Sequence, residues 1–364
     1  MQHEKNRTSI VAEIGTGHEG DISHAYRLID AAADAGADFV KFQMVYADEI
    51  LHVNTGIVNL PGGAISLYDR FRDMEVPLSF YEKIVNYCQQ RKIGFFCTPF
   101  GLRSAKELRL LHPAYIKIAS PELNHFPLIT EVASYGIPLI LSSGVSQLSD
   151  IEKALDTARN APERILLHCV TNYPAPEEDY NLNVLPNLAG IFGIQVGVSD
   201  HSLDPVLIPV LAVSCGACMI EKHITLSREG NGLDDPVALT PELFTQMVIA
   251  VRGAENKSKA NIVSELSHIY GTQRVQAILG DGVKRLAESE KTHYYRTNRS
   301  IHYLRSMQKG ESIRERDIAL LRTEKNLSPG LSPEFLDTVK GAILVRDVES
   351  GAGVVWADII QHTE

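Results

Sequence analysis

The sequence predicts an α/β protein: a (β/α)8 TIM barrel followed by a small β-rich domain. Three observations carry this. Eight short apolar runs recur through the first two-thirds of the 364 residues, with little inside/outside alternation, as expected for strands covered on both faces. Amphipathic helical stretches lie between most of them, so β-then-α units follow one another over about 250 residues, the usual extent of such a barrel. After Gly280-Asp281-Gly282 the chain changes to short β-like runs with Gly and Pro turns. A doubly wound open sheet is the main alternative, but eight units in succession favour closure.

The predicted strands are 9–13, 39–42, 94–97, 115–118, 138–141, 165–168, 195–198 and 219–222. Helical patterns cover 23–35, 80–91, 104–111, 150–159, 205–214 and 241–253. A long insertion, Tyr46 to Leu78 with Pro61-Gly62-Gly63 inside it, separates the second strand from its helix. Long βα loops in a barrel usually cover the active-site mouth. A polar stretch, Glu255 to Ser264, precedes a helical segment reaching about Leu279. In the tail, 300–304, 342–347 and 354–356 read as β-like runs. The expected division is a barrel over 1–285, a linker over 286–298 and the small domain over 299–364.

Composition narrows the function. A net charge of −10 argues against a nucleic-acid or anionic-membrane surface. The five cysteines sit in apolar stretches, and Cys215-Gly-Ala-Cys218 has no second pair to complete a zinc site. Buried, reduced thiols are the better reading, and they suit a cytoplasmic protein. Met1 to Arg7 is polar and lacks the apolar core of a signal peptide. The longest apolar run, Pro205 to Ile220, is shorter than the roughly 20 residues of a membrane span.

Catalytic groups of barrel enzymes sit where strands end and βα loops begin. Here nearly every strand ends on a functional side chain. The first gives Glu13, the second Lys41 and Gln43, the third Thr98. The fourth gives Lys117, Ser120 and Glu122, the fifth Ser142 and Ser143. The sixth gives His168, Thr171, Asn172 and Tyr173, the seventh Ser199, Asp200 and His201, the eighth Glu221, Lys222 and His223. Any one of them alone is an ordinary loop residue; the set indicates a shared site. Two lysines and several hydroxyls converging on one mouth suit a phosphate or carboxylate.

His201 and His223 leave neighbouring strands, so their imidazoles can meet across about 5 Å. With substrate oxygens or water they would make an open divalent site. The competing reading is two hydrogen-bonded loop histidines. Mixed N/O ligation fits Mn²⁺, Co²⁺, Fe²⁺ or Zn²⁺ better than Ca²⁺. Gly15-Thr-Gly-His-Glu-Gly20 matches a dinucleotide fingerprint, but the next strand ends Lys41-Phe-Gln43 without the required acid. The glycines are read as a tight turn that sets Glu13 and His18 over the mouth. His168-Cys169 is read as strand-end packing.

Taken together, the strand-end motifs resemble the sialic acid synthase family. The matching pieces are Val11-Ala-Glu-Ile-Gly15, Val40-Lys-Phe-Gln43, Cys97-Thr-Pro-Phe100, Ile116-Lys-Ile-Ala-Ser-Pro-Glu122, Ser142-Ser-Gly144, Leu167-His-Cys169 with Tyr173-Pro174, Val198-Ser-Asp-His201 and Glu221-Lys-His223. The tail is similar to the antifreeze-like SAF domain of those synthases, from Arg299-Ser-Ile301 through Lys309-Gly-Glu311 to Trp356-Ala-Asp-Ile359. The resemblance implies condensation of phosphoenolpyruvate with an N-acetylated hexose to a nine-carbon 2-keto-3-deoxy acid. It implies that Lys41, Thr98, Lys117, Ser120, Ser142, Thr171 and Ser199 hold phosphoenolpyruvate. By the same carry-over, His201 and His223 bind a divalent metal, Mn²⁺ ahead of Mg²⁺ or Co²⁺. Glu13, Gln43, Tyr173 and Asp234 face the sugar, and Glu122 lies near the reacting carbons. Arg299 would reach the acyl group of the sugar in a partner subunit of a domain-swapped homodimer.

The chain departs from the family pattern at Gly17-His-Glu-Gly20, at Gly232-Leu-Asp-Asp235 with Ala238 beyond it, and at Val339-Lys-Gly-Ala342. The sugar-facing positions vary while the anion and metal positions are kept. These departures leave the acceptor open between N-acetylmannosamine and a different, bacillosamine-type or otherwise modified hexose, as in legionaminic and pseudaminic acid synthases. Two other readings are a metal-dependent aldolase or lyase on the same barrel acting on a keto acid, and a non-catalytic sugar-binding relative. Intact lysines and histidines argue against the last.

Overall fold

A computed structural model describes residues 7–60, 63–230 and 232–360. The first six residues, Pro61, Gly62, Asn231 and the last four of the small domain lie outside the described residues.

Eight parallel strands close into a barrel. They are β1 (Ser9–Gly15), β2 (Phe39–Met44), β3 (Gly94–Pro99), β4 (Ile116–Ile118), β5 (Leu139–Ser142), β6 (Arg164–Cys169), β7 (Gln195–Asp200) and β8 (Met219–His223). Each pairs with its sequence neighbour, and β8 returns to β1 through Glu13 opposite His223. The expected strands are all present, several a residue or two longer at the C-terminal end.

Alternation along the strands divides the core. Ile10, Ala12, Val40, Phe42, Ile116, Ile118, Leu166 and Val198 face outward into one large cluster with the helices. Val11, Phe96, Ile140, Ile165, Leu167 and Met219 fill the barrel interior. Each such aliphatic contributes about 1.5–3 kcal/mol by leaving water. Gly197 sits between them because a Cβ there would lie 2.3 Å from the Met219 carbonyl oxygen.

Local signals start and stop the helices. Asp21 caps the helix Ile22–Asp34 by accepting from Ser23 N at 2.8 Å, and Ala25, Leu28, Ile29 and Ala32 form its buried face. Lys92, in the left-handed conformation, ends the helix Leu78–Arg91. The polar stretch after Glu255 folds more regularly than its composition predicts. Ser258 caps a helix over Lys259–Tyr270, and a second runs over Thr272–Leu279. Ile262, Leu266, Val275 and Ile278 supply the buried faces that the polar residues mask.

The insertion after β2 holds a short helix, Ala47–Ile50, a hairpin, Ile57–Leu60 with Gly63–Ser66, and the helix Leu67–Arg72. In the tail, β9 (Arg299–Tyr303) pairs antiparallel with β10 (Ile318–Arg322), a strand that the sequence reading passed over. The runs at 342–347 and 354–356 do not form strands. They make isolated bridges, such as Ser312 to Ile343, and Trp356–Ile359 is a short helix. Ile301, Tyr303, Met307, Ile313 and Leu344 give this small domain a core of its own. All five cysteines are free. No helix among the described residues is long and apolar enough to cross a membrane.

Candidate active site

The same alternation builds the site. One step above the interior layer, the inward positions are Glu13, Thr98, Ser142, Cys169, Ser199 and Glu221, with Lys41 and Lys117 from β2 and β4. All but Thr98, which lies behind Lys41, floor a cavity of about 330 Å³ at the C-terminal end of the barrel. Gln43, Ser120, Thr171, Tyr173, His201, His223 and Asp234 also line it. Phe71 and Met74 of the insertion reach its wall, as expected of a loop over the mouth.

The floor is cationic and tightly bonded. Lys41 Nζ lies 3.0 Å from Glu13 and 3.3 Å from Glu221, and donates to Thr98 Oγ1 at 3.4 Å. Thr98 is buried and reaches the site through this contact. Lys117 Nζ donates to Ser142 Oγ at 2.5 Å, and Ser199 Oγ donates to Glu221 at 3.0 Å. Ser120 Oγ accepts from Gly144 N at 3.0 Å. Gly144 must be glycine, since a Cβ would lie 2.1 Å from Thr171 Oγ1.

Burial opposes the charge of Lys41, but Glu13 and Glu221 outweigh it and hold the ammonium protonated. Burial lowers Lys117, with Glu221 opposing. The two carboxyls part company: burial pushes Glu13 up to about 7, while Lys117 and Lys41 overcome burial at Glu221 and bring it down to about 2. Glu13 Oε1 accepts from Gln43 Nε2 at 2.7 Å. Its second oxygen and that of Glu221 are buried without a hydrogen-bond partner among the described residues, so both await a donor or a cation.

The His201 and His223 rings lie 5.7 Å apart. Their residues fit a divalent ion. His201 Nδ1 donates to the Val170 carbonyl at 2.8 Å, so the tautomer able to take a metal carries its lone pair on Nε2, 3.1 Å from Tyr173 Oη. Burial opposes the charged ring, but Cys169 raises this imidazole to about 8, and a metal would have to displace that proton. Burial lowers His223 to about 4, so its imidazole is neutral. Asp234 Oδ2 stands 3.6 Å from His223 Nδ1. No three His, Cys, Asp or Glu side chains converge closely enough among the described residues to cage a metal. The protein would thus supply two imidazoles and leave the other positions to water or substrate.

Several expected positions need correction. Glu122 is not beside the cavity. It is fully buried, and its carboxylate accepts from Arg299 and Arg322 of the small domain. Arg299 is not aimed at a sugar. Its guanidinium is sealed between Glu122 and the carbonyls of Ile50, Phe100 and Leu320 of its own chain. His18 packs under Phe80, with ring centroids 4.8 Å apart, and Thr16 takes the place expected for it at the wall. Asp200 and Lys222 face outward as a buried pair at 2.6 Å, and His168 faces outward too, bonded to the Tyr180 carbonyl. These inversions follow from a period of two, in which adjacent strand residues point oppositely.

Several lining residues went unremarked as site groups, among them Cys169, whose Sγ is 3.8 Å from His201 Nδ1, Thr297, and Arg322 and Glu324 of the small domain. The inward parity of Cys169 with Leu167 was a signal. Arg322 and Glu324 gave none, because only docking of the small domain brings them to the mouth.

The NeuB family signature matches residues 28–262, and the SAF domain signature matches residues 298–360. The chain belongs to the NeuB family. It is 36% identical over 96% of its length to the spore coat polysaccharide biosynthesis protein SpsE of Bacillus subtilis strain 168, covering 93% of that protein. The crystal structure of that protein superposes with a TM-score of 0.82 at 35% identity, covering 99% of this chain and 97% of the other. The N,N'-diacetyllegionaminic acid synthase of Campylobacter jejuni is 31% identical over 92% of this chain and 96% of its own. The N-acetylneuraminic acid synthetase of Leptospira borgpetersenii, solved with citrate, has a TM-score of 0.63 at 30% identity, covering 74% of this chain and 94% of that one. A NeuB-family barrel with a SAF domain is thus a synthase, and its Lys, hydroxyl and His positions fall in one cavity.

Proposed function

We propose that this NeuB-family synthase condenses phosphoenolpyruvate with an N-acylated hexose, N-acetylmannosamine or a related modified sugar, giving a nine-carbon 2-keto-3-deoxy acid and phosphate. One observation carries the reading: Lys41 and Lys117 floor the same cavity that His201, His223 and Asp234 flank. The floor suits a small dianion, and the flank suits a carbonyl compound.

Lys41, Lys117 and the hydroxyls of Ser120, Ser142, Thr171 and Ser199 hold the carboxylate and phosphate by charge-assisted hydrogen bonds. Glu13 with Gln43, Tyr173 and Asp234 face the sugar hydroxyls. A divalent ion held by His201 and His223, Mn²⁺ ahead of Mg²⁺ or Co²⁺, would polarise the aldehyde of the open-chain sugar. C3 of phosphoenolpyruvate attacks that aldehyde carbon, water adds to the cation left at C2, and the tetrahedral intermediate expels phosphate. Glu13 and Glu221, the carboxyls with a buried oxygen still unpartnered, are the groups able to orient the water or pass its proton. Glu122, paired with two arginines away from the cavity lining, is not given that role in this reading.

The SAF domain seals the mouth of its own barrel in this chain. Exchange of the domain between two copies would make the same contacts between subunits, so a homodimer remains part of the reading and light scattering tests it. Reduced cysteines favour a cytoplasmic location. A keto-acid lyase would release pyruvate and no phosphate. Incubation with phosphoenolpyruvate, Mn²⁺ and a panel of N-acetylated hexoses, with inorganic phosphate measured, separates the two.

A further inference from the structure

We propose that the groove between β6 and the segment from Gly280 to Lys291 is a second ligand site, that it takes an α-hydroxycarboxylate, and that the ring-closed form of the reaction's own product is its occupant. The occupant's identity rests on the synthase reading; the site itself does not.

The groove is a cavity of about 790 Å³ that shares no lining residue with the catalytic cavity. Its mouth is balanced in charge: Arg285 pairs with Asp281 at 2.8 Å, and Lys291 pairs with Glu288. Two further lining groups are left over. Lys284, half-buried, donates from Nζ to the Ser143 carbonyl at 2.9 Å and has no carboxylate in ion-pair contact among the described residues. His168, 4% exposed, donates from Nε2 to the Tyr180 carbonyl at 2.7 Å, and its buried Nδ1 has no hydrogen-bond partner among the described residues. Burial, with the charge of Lys284 added, lowers this imidazole to about 3. The ring is therefore neutral, and Nδ1 carries a lone pair.

These two groups define the ligand. The ammonium has donors to spare and calls for an anionic oxygen. The imidazole lone pair repels such an oxygen and calls for a hydroxyl beside it. A simple carboxylate supplies only the first, and a neutral sugar only the second. An α-hydroxycarboxylate carries both on adjacent carbons. A 2-keto sugar acid acquires this pattern when it closes its ring, because C2 then bears a hydroxyl next to the carboxylate. The volume lies within the range that holds a ligand of that size. Phosphoenolpyruvate lacks the hydroxyl and the acceptor sugar lacks the carboxylate, so the groove distinguishes product from substrates.

Occupancy bears on the anion floor. Lys284 holds the carbonyl of Ser143, the neighbour of Ser142. Glu290, 1% exposed and in the same segment, accepts from Val145 N and Thr171 N, both at 2.7 Å. The segment thus ties down the β5 and β6 loops that present Ser142 and Thr171. A carboxylate that draws the ammonium from the Ser143 carbonyl loosens one of these ties.

The test is calorimetric titration of the full-length protein, saturated with phosphoenolpyruvate so that the catalytic cavity is filled, with N-acetylneuraminate, its methyl glycoside and glycolate. N-acetylneuraminate should bind, and the glycoside, which lacks the C2 hydroxyl, should bind roughly tenfold more weakly. Lys284→Met should weaken binding roughly ten- to hundredfold, and Lys284→Arg should recover part of the loss. If Lys284→Met does not fold, hydrogen exchange on the parent decides: N-acetylneuraminate should slow exchange across 284–291. Binding of none of the three, equal binding by the Lys284 variants, or protection confined to the catalytic cavity overturns the site. Glycolate binding as tightly as N-acetylneuraminate overturns the product as occupant and supports the chemical class. Absence of phosphate release by the parent with every hexose overturns the synthase reading, and the glycolate titration still decides the site.

Discussion

Glu122 and Arg299 form a fully buried ion pair, Oε1 to Nη2 2.8 Å, that joins the fourth barrel strand's loop to the first strand of the SAF domain. Arg322 shares the same carboxylate. Breaking a buried pair from one side is costly because a charge is left without its counterion. Glu122→Ala leaves two guanidiniums unopposed and should destabilise the protein by about 3–5 kcal/mol. Denaturant unfolding checks this. A loss below about 0.5 kcal/mol, accompanied by a collapse of kcat alone, would restore Glu122 to the catalytic role that the resemblance implied.

The two floor lysines should fail differently. Lys117 bonds a serine and a carbonyl and opposes the charge of Glu221 without an ion-pair contact, so Lys117→Met should raise KM for phosphoenolpyruvate roughly ten- to hundredfold with a smaller loss of stability than at Lys41. Lys41 lies between two buried carboxyls, so Lys41→Met should also lower stability by several kcal/mol. Melting curves alongside kinetics tell them apart. Equal thermal effects would contradict the charge arrangement.

His223→Ala should abolish metal-dependent turnover while leaving the far-ultraviolet dichroism and melting temperature near those of the parent, since its ring is buried against the cavity and removing it enlarges a space already present. Unchanged activity with added Mn²⁺ would sink the metal assignment.

Stability should fall on acidification well before ordinary carboxylates titrate. Burial lowers His18 and His302 from 6.5 to about 4, and His125 and His168 to about 3. Between pH 6.5 and these values the unfolded chain binds protons that the folded one refuses, so stability is full above about pH 6.5 and lost below it. Glu13 acts oppositely, its folded value of about 7 exceeding the ordinary 4.5, so it favours the folded state most at the acid end of that range. With His223, also lowered to about 4, five lowered histidines outweigh Glu13 and His201, the latter raised to about 8. Denaturant midpoints measured from pH 7.5 to pH 4 should decline; a flat or rising trend would contradict the buried, neutral histidines.

Much of this was readable in the residues, and the failures share a cause. Strands covered on both faces show as apolar runs, so their existence was plain, but the runs hide which residues point inward. Lys41 and Glu13 point into the barrel, whereas Asp200, Lys222 and His168, one step out of phase, point outward. The helix from Lys259 was masked by its exposed polar face. The docking of the SAF domain is a long-range packing event that no local pattern encodes. Arg299 and Glu122 therefore looked like site groups while Arg322 looked like nothing.

The most direct test of the account is release of inorganic phosphate by the purified protein from phosphoenolpyruvate. The account expects release that requires both a divalent cation and an N-acylated hexose, in step with formation of a 2-keto-3-deoxy acid. No phosphate with any hexose, together with metal-dependent cleavage of a keto acid to pyruvate, would contradict it.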